Sequence, residues 1–83
     1  MAIDYSKLRS LTAREMVRSL LADGFVLRTQ RGSHRRYQHS DGRRVTVPYH
    51  GSSGSFVPKT LRSMIEEQAR WTEEDLERLG LIG

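Results

Sequence analysis

Between Phe25 and Val47 polar and apolar side chains tend to alternate, and the alternation breaks where turn-forming residues gather, at Gly32-Ser33 and at Ser40-Asp41-Gly42. Alternation of period two bounded by such residues predicts three antiparallel strands, Phe25 to Arg31, His34 to His39 and Arg43 to Val47. If Gly32-Ser33-His34 and Ser40-Asp41-Gly42 are three-residue connections, Thr29 lies opposite Tyr37, and Tyr37 opposite Val45. Phe25, Leu27, Tyr37, Val45 and Val47 then face a core. Arg28, Gln30, Arg36, Gln38, Arg44 and Thr46 line the other face, with His34 at its rim. Two-residue turns would turn Tyr37 to the polar side, because a one-residue slip reverses every side chain. This register leaves Val26 exposed on the polar face.

Helical patterns flank the strands. Thr12 followed three residues later by Glu15 is a capping box, Met16, Val17, Leu20 and Leu21 recur at helical spacing, and Gly24 is a left-handed stop; a helix from about 13 to 23 follows. Pro58 suits a first helical turn, with Leu61, Met64, Ile65 and Ala69 as the buried stripe. Thr72 and Asp75 cap a short helix from Glu73 to Leu79 that ends at Gly80. Trp71 is expected to cover the core. Met1 to Leu11 shows no period and is expected to dock loosely or add a short turn, and His50 to Ser55 is polar, glycine-rich and flexible by composition.

Eighty-three residues fit a single domain with a small core. The absence of cysteine excludes a disulfide framework and thiolate metal sites and fits a reducing cytoplasm. No apolar run is long enough for a membrane span or a signal-peptide core, so a soluble, cytoplasmic chain is expected. Residues 1 to 62 hold twelve of the fourteen basic and four of the ten acidic side chains, a formal +8, and residues 63 to 83 carry −4. A basic body with an acidic tail suits a polyanion or an acidic protein partner.

Charge concentrates around one imidazole. Residues 28 to 44 contain Arg28, Arg31, Arg35, Arg36, Arg43 and Arg44 against Asp41 alone. Imidazole titrates near ~6.5, so His34 can exchange a proton near neutrality, and guanidinium groups beside it attract phosphate. The same residues equally describe a solvated hairpin with arginines guarding a sheet edge. Ser33 serves the turn better than a nucleophilic role, since no Ser-His-Asp arrangement accompanies it. The spacing of His34, His39 and His50 fits no zinc pattern, and the loop after His50 lacks the Gly-Lys-Ser/Thr of a nucleotide-binding loop.

Several blocks in order, Gly24-Phe25, Gly32-Ser33-His34, Asp41-Gly42-Arg43-Arg44-Val45-Thr46-Val47-Pro48, His50-Gly51 and Thr60-Leu61-Arg62-Ser63, together resemble the HicA toxin family, small messenger-RNA-cleaving ribonucleases of toxin-antitoxin pairs. The resemblance runs from about Thr12 to Ala69, with Met1 to Leu11 as an N-terminal extension and Thr72 to Gly83 as a charged tail. It implies an α+β fold similar to the double-stranded-RNA-binding domain, in the order α-β-β-β-α with a three-stranded antiparallel sheet, two helices on one face and here a short C-terminal helix. It also implies one essential histidine at His34, no cofactor or metal, and a HicB antitoxin that occludes His34, the free toxin being a monomer and the complex a hetero-oligomer.

RNA can be cut without metal when a base takes the 2′-hydroxyl proton, the oxygen attacks the adjacent phosphorus and an acid protonates the departing 5′-oxygen. On this reading His34 is the acid or base. RNA contacts are assigned to Arg28, Arg31, Ser33, Arg35, Arg36, Arg44, His50 and Lys59, with Arg35, Arg36 and Lys59 on the phosphate and His50 as candidate second proton carrier. The rival readings are a non-catalytic module that binds double-stranded RNA or other nucleic acid through the same charges, and a docking surface for an acidic protein.

Overall fold

The computed structural model describes residues 3–82; Met1 and Ala2 of the N-terminal extension and Gly83 of the tail lie outside them. A short 3-10 turn, Tyr5–Leu8, leads into helix α1, Ala13–Ala22, whose N-terminus has both halves of the Thr12/Glu15 capping box. Gly24, at φ 100°, turns the chain back, its N–H bonding to the Leu21 carbonyl. Strands β1 (Val26–Arg31), β2 (His34–Gln38) and β3 (Arg44–Pro48) form one antiparallel sheet in the order β1-β2-β3. A second helix follows as α2, Pro58–Arg62, running directly into a π-helical stretch, Ser63–Gln68. Helix α3, Glu73–Arg78, closes the chain with the expected Thr72/Asp75 box. The fold is α+β, with the helices against one face of the sheet.

The core is built from the positions that periodicity marks. Met16 and Leu20 of α1, Tyr37, Val45 and Val47 of the sheet, and Leu61, Met64, Ile65 and Ala69 of the second helix are all buried. Trp71 covers the end of this core, edge-on to Phe25, and Leu76 brings α3 onto it. The N-terminal segment does more than dock loosely, since Leu8 and Leu11 are buried in the same cluster and the Tyr5 hydroxyl donates to the Glu66 carboxylate. Complete burial of one leucine is worth roughly 1.5–3 kcal/mol, so residues 3–11 are part of the domain rather than an appendage.

The second strand pairing keeps the expected register, Tyr37 opposite Val45, while the first departs from it. Arg31 pairs with His34 across a two-residue turn, and Tyr37 faces Leu27 instead of Thr29. Gly32 at φ 55° stands in the first central position, where a two-residue II′ turn requires glycine. The slip that this turn would impose on Tyr37 is absorbed by a β-bulge between Leu27 and Thr29 that leaves Arg28 unpaired. Thr29 therefore joins the open face, and Gln30, paired with Arg35, moves to the helix side. Leu27 also points to the helix side, but it overhangs the helices and is 47% exposed.

The π-helical stretch has no counterpart in the 3.6-residue pattern. Its extra residue sets Gln68 so that Oε1 accepts from the Thr46 N–H of β3 and Nε2 donates to Ser63 Oγ, which satisfies one backbone donor on the outer edge of the sheet. The glycine-rich loop is also less free than its composition predicts. The Gly54 and Ser52 carbonyls accept from the Ala13 and Arg14 N–H groups at 2.8 and 3.0 Å, so the loop is fastened to donors that the first turn of α1 leaves unused.

Candidate functional site

The face of the sheet turned away from the helices carries an exposed imidazole among exposed guanidinium groups. Because β2 alternates, Tyr37 goes into the core and His34 and Arg36 point outward. Residues paired across strands share a face, so Thr46 (opposite Arg36), Arg44 (opposite Gln38) and Arg31 (opposite His34) join them. His34 lies in a cleft of about 420 Å³ lined by Thr29, Arg31, Arg36 and Thr46. A second hollow of about 250 Å³ continues along the same face between Arg28, Thr29, Arg36, Gln38 and Arg44. Among the described residues no hydrogen bond or ion pair engages the side chains of Arg28, Arg31, His34, Arg36 or Arg44.

Arg35 is not on this face. It pairs with the fully buried Val47 and so points to the helix side, where its guanidinium lies 3.6 Å from the centre of the Tyr49 ring. The cause is the alternation itself: once His34 and Arg36 face outward, the residue between them cannot. Tyr49 in turn donates its backbone N–H to the Ser33 carbonyl, tying the end of β3 to the turn that precedes His34. This bond brings His50, exposed and next in sequence, to the His34 end of the sheet. Lys59 is exposed on the first turn of α2 and lines neither hollow. Ser33 occupies the turn, and its carbonyl is the group in use.

His39 has a different fate from His34. Its Nε2 lies 2.8 Å from the Asp23 carbonyl, its Nδ1 accepts from the Asp41 N–H, and its ring stands edge-on to Phe25. A methyl group on Gly24 would come within 3.0 Å of this ring. Arg43 is likewise committed, to Asp23 at 3.2 Å, Asp41 at 2.8 Å and the Ala69 carbonyl. Among the described residues no cluster of three or more metal-ligating side chains occurs. Among the described residues the acidic tail lines neither hollow of the open face: α3 is held on the core by Leu76 and to Asp23 by Arg78, at 2.9 Å.

Chemically, the open face offers one imidazole that can take or give a proton and several cations without partners, an arrangement suited to a phosphodiester. Of the residues that sequence reasoning assigns to RNA, Arg28, Arg31, His34, Arg36 and Arg44 lie on this face. That reasoning missed Thr29, whose place on this face follows from the bulge, and Tyr49, whose backbone bond has no signature in the sequence. Residues 13–71 match a family model described as the HicA toxin of bacterial toxin-antitoxin systems. A search of curated proteins finds no match.

Proposed function

Because this chain belongs to the HicA toxin family of bacterial toxin-antitoxin systems, we propose that it is a metal-independent endoribonuclease that cleaves messenger RNA with His34 as general acid or base. The observation that carries the reading is the exposed His34 imidazole in one cleft with Arg31 and Arg36. A 2′-oxygen that loses its proton to a base attacks the neighbouring phosphorus; the new P–O2′ bond forms as the P–O5′ bond breaks, and an acid delivers a proton to the departing oxygen. The products are a 2′,3′-cyclic phosphate and a 5′-hydroxyl, so DNA is spared. Arg31, Arg36 and Arg44 hold and neutralise the phosphates along the open face, with Arg28 and Thr29 at its β1 side. His50, tied to the His34 end through Tyr49, is the candidate second proton carrier. Arg35 acts behind the face, steadying the turn through Tyr49, and Lys59 is assigned no phosphate. An antitoxin of the HicB type, by covering the open face, would block RNA and His34 together.

The test is digestion of a defined RNA by the purified chain in chelator, with the new ends identified by mass spectrometry. Cyclic phosphate ends, an untouched DNA of the same sequence and loss of cutting in His34→Ala are expected. Binding without cleavage would instead assign a non-catalytic RNA-binding module. Cleavage abolished by chelator and restored by a divalent ion would overturn the metal-free route.

A further inference from the structure

Among the described residues β1 has a bare outer edge, in contrast to β3, where Gln68 reaches Thr46. All six residues of β1 are exposed, and its backbone pairs with β2 alone. The two sides of this edge differ. Arg28, Thr29 and Arg31 look onto the open face, whereas Leu27, 47% exposed, lies on the helix side. Leu21, 53% exposed at the end of α1, is brought beside the start of the strand by the Gly24 and Phe25 bonds to the Leu21 and Leu20 carbonyls.

We propose that this edge receives an extended protein segment as a fourth strand, and that the segment alternates acidic with apolar side chains. Strand addition satisfies the unused backbone groups, and the period of two sends successive side chains to opposite sides. Acidic residues of the segment meet Arg28 and Arg31 on one side, and its apolar residues meet Leu27 and Leu21 on the other. A second copy of this chain is disfavoured, because pairing β1 with itself sets Arg28 and Arg31 against like charges. RNA is disfavoured too, having no strand backbone to continue the ladder and no use for half-exposed leucines. The inference requires no catalytic role for His34.

The probe is a blocked octapeptide of alternating glutamate and valine, titrated into the isotope-labelled full chain and followed by backbone amide NMR. Shifts confined mainly to residues 26–31 are expected. A Lys-Val peptide, and a Glu-Val peptide N-methylated at alternate residues on its pairing edge, are each expected to bind at least about tenfold more weakly. Leu27→Asp, at a half-exposed position, and Arg28→Glu are expected to weaken the Glu-Val peptide by about tenfold each with the amide spectrum otherwise unchanged; either variant suffices if the other fails to fold. Equal binding of the N-methylated peptide, shifts centred on Arg36 and Arg44 instead of β1, or a dimer of the free chain in sedimentation would overturn the proposal.

Discussion

The Asp23 cluster and the open face of the sheet use the same residue types in opposite ways. In the Asp23 cluster His39, Arg43 and Arg78 are engaged: the Asp23 carboxylate accepts from Trp71 Nε1 and Arg78 and pairs with the Arg43 charge at 3.2 Å, and its backbone carbonyl lies against the His39 ring. On the open face of the sheet His34, Arg31, Arg36 and Arg44 stand in solvent, with no side-chain partner among the described residues. The arginine and histidine side chains that hold the fold are bracketed by carboxylates and carbonyls, while those of the open face are left without them. Arg35 marks the border, pinned by the Tyr49 ring with its Nε buried and unpartnered.

Replacing the two histidines in turn puts the greatest strain on this contrast. His34→Ala is expected to lower RNA cleavage by at least about 10²-fold, the usual contribution of a positioned acid or base, with thermal stability unchanged because the side chain is exposed. His39→Ala is expected to do the reverse, costing about 1–2 kcal/mol in urea unfolding while the folded fraction cuts RNA at the parental rate. Equal loss of cleavage in both variants at matched folded fraction would erase the distinction between the two regions.

Asp23 comes next in size. Burial raises its carboxyl, but the bonds from Trp71 and Arg78 and the Arg43 charge outweigh burial and hold it below the ordinary 3.8. Asp23→Asn is expected to cost roughly 2–3 kcal/mol, less than a fully buried pair would, because half-exposed Arg78 can return to water. The pH dependence has a definite sign. With the folded value depressed, the unfolded chain takes up its proton first, so this stabilisation is complete above about pH 3.8 and drains away as pH falls through the lower folded value. Acid titration of the thermal midpoint is expected to be flatter in the variant below that pH.

Gly24 tests the same cluster through the backbone. At φ 100°, with an added methyl group only 3.0 Å from His39 Nε2, Gly24→Ala is expected to destabilise by about 1–3 kcal/mol. The spectrum should change first at His39 and Asp41 and leave the amides of His34 and Arg36 in place.

Much of this architecture was legible in the residues because local rules agreed with it. The Thr12/Glu15 and Thr72/Asp75 boxes, the Gly24 stop, the stripe from Leu61 to Ala69 and the placing of Tyr37 opposite Val45 each follow from capping or periodicity. The first hairpin was misjudged because two departures compensate: the short turn at Gly32 moves the register by one residue and the bulge at Arg28 moves it back. A sheet pattern records the sum of such shifts and not their parts, so periodicity puts Tyr37 on the correct side even with the wrong turn, while it puts Thr29 and Gln30 on the wrong ones; Arg35 shares the Tyr37 side by alternation, and assigning it a phosphate overlooks that. The burial of Leu8 and Leu11 and the anchoring of the glycine-rich loop on α1 are long-range packing events with no local pattern to announce them.

The arginines give the finest division between the two regions, because Arg43 and Arg44 are neighbours that point to opposite sides of the sheet. If Arg36 and Arg44 are left without partners in order to meet phosphate, each change to alanine removes one counterion-releasing contact and nothing from the fold. Affinity for a single-stranded RNA is then expected to fall about 3- to 10-fold per substitution, and the slope of log affinity against log salt to become shallower by about 0.7. Arg43, the neighbour of Arg44 in sequence, is spent on Asp23, Asp41 and Ala69. Arg43→Ala is expected to lower the unfolding midpoint while the salt slope, measured on folded protein, stays at the parental value. Binding measured at three or more salt concentrations separates the cases. A slope that changes with Arg43 but not with Arg44 would place the nucleic acid on the Asp23 cluster and not on the open face.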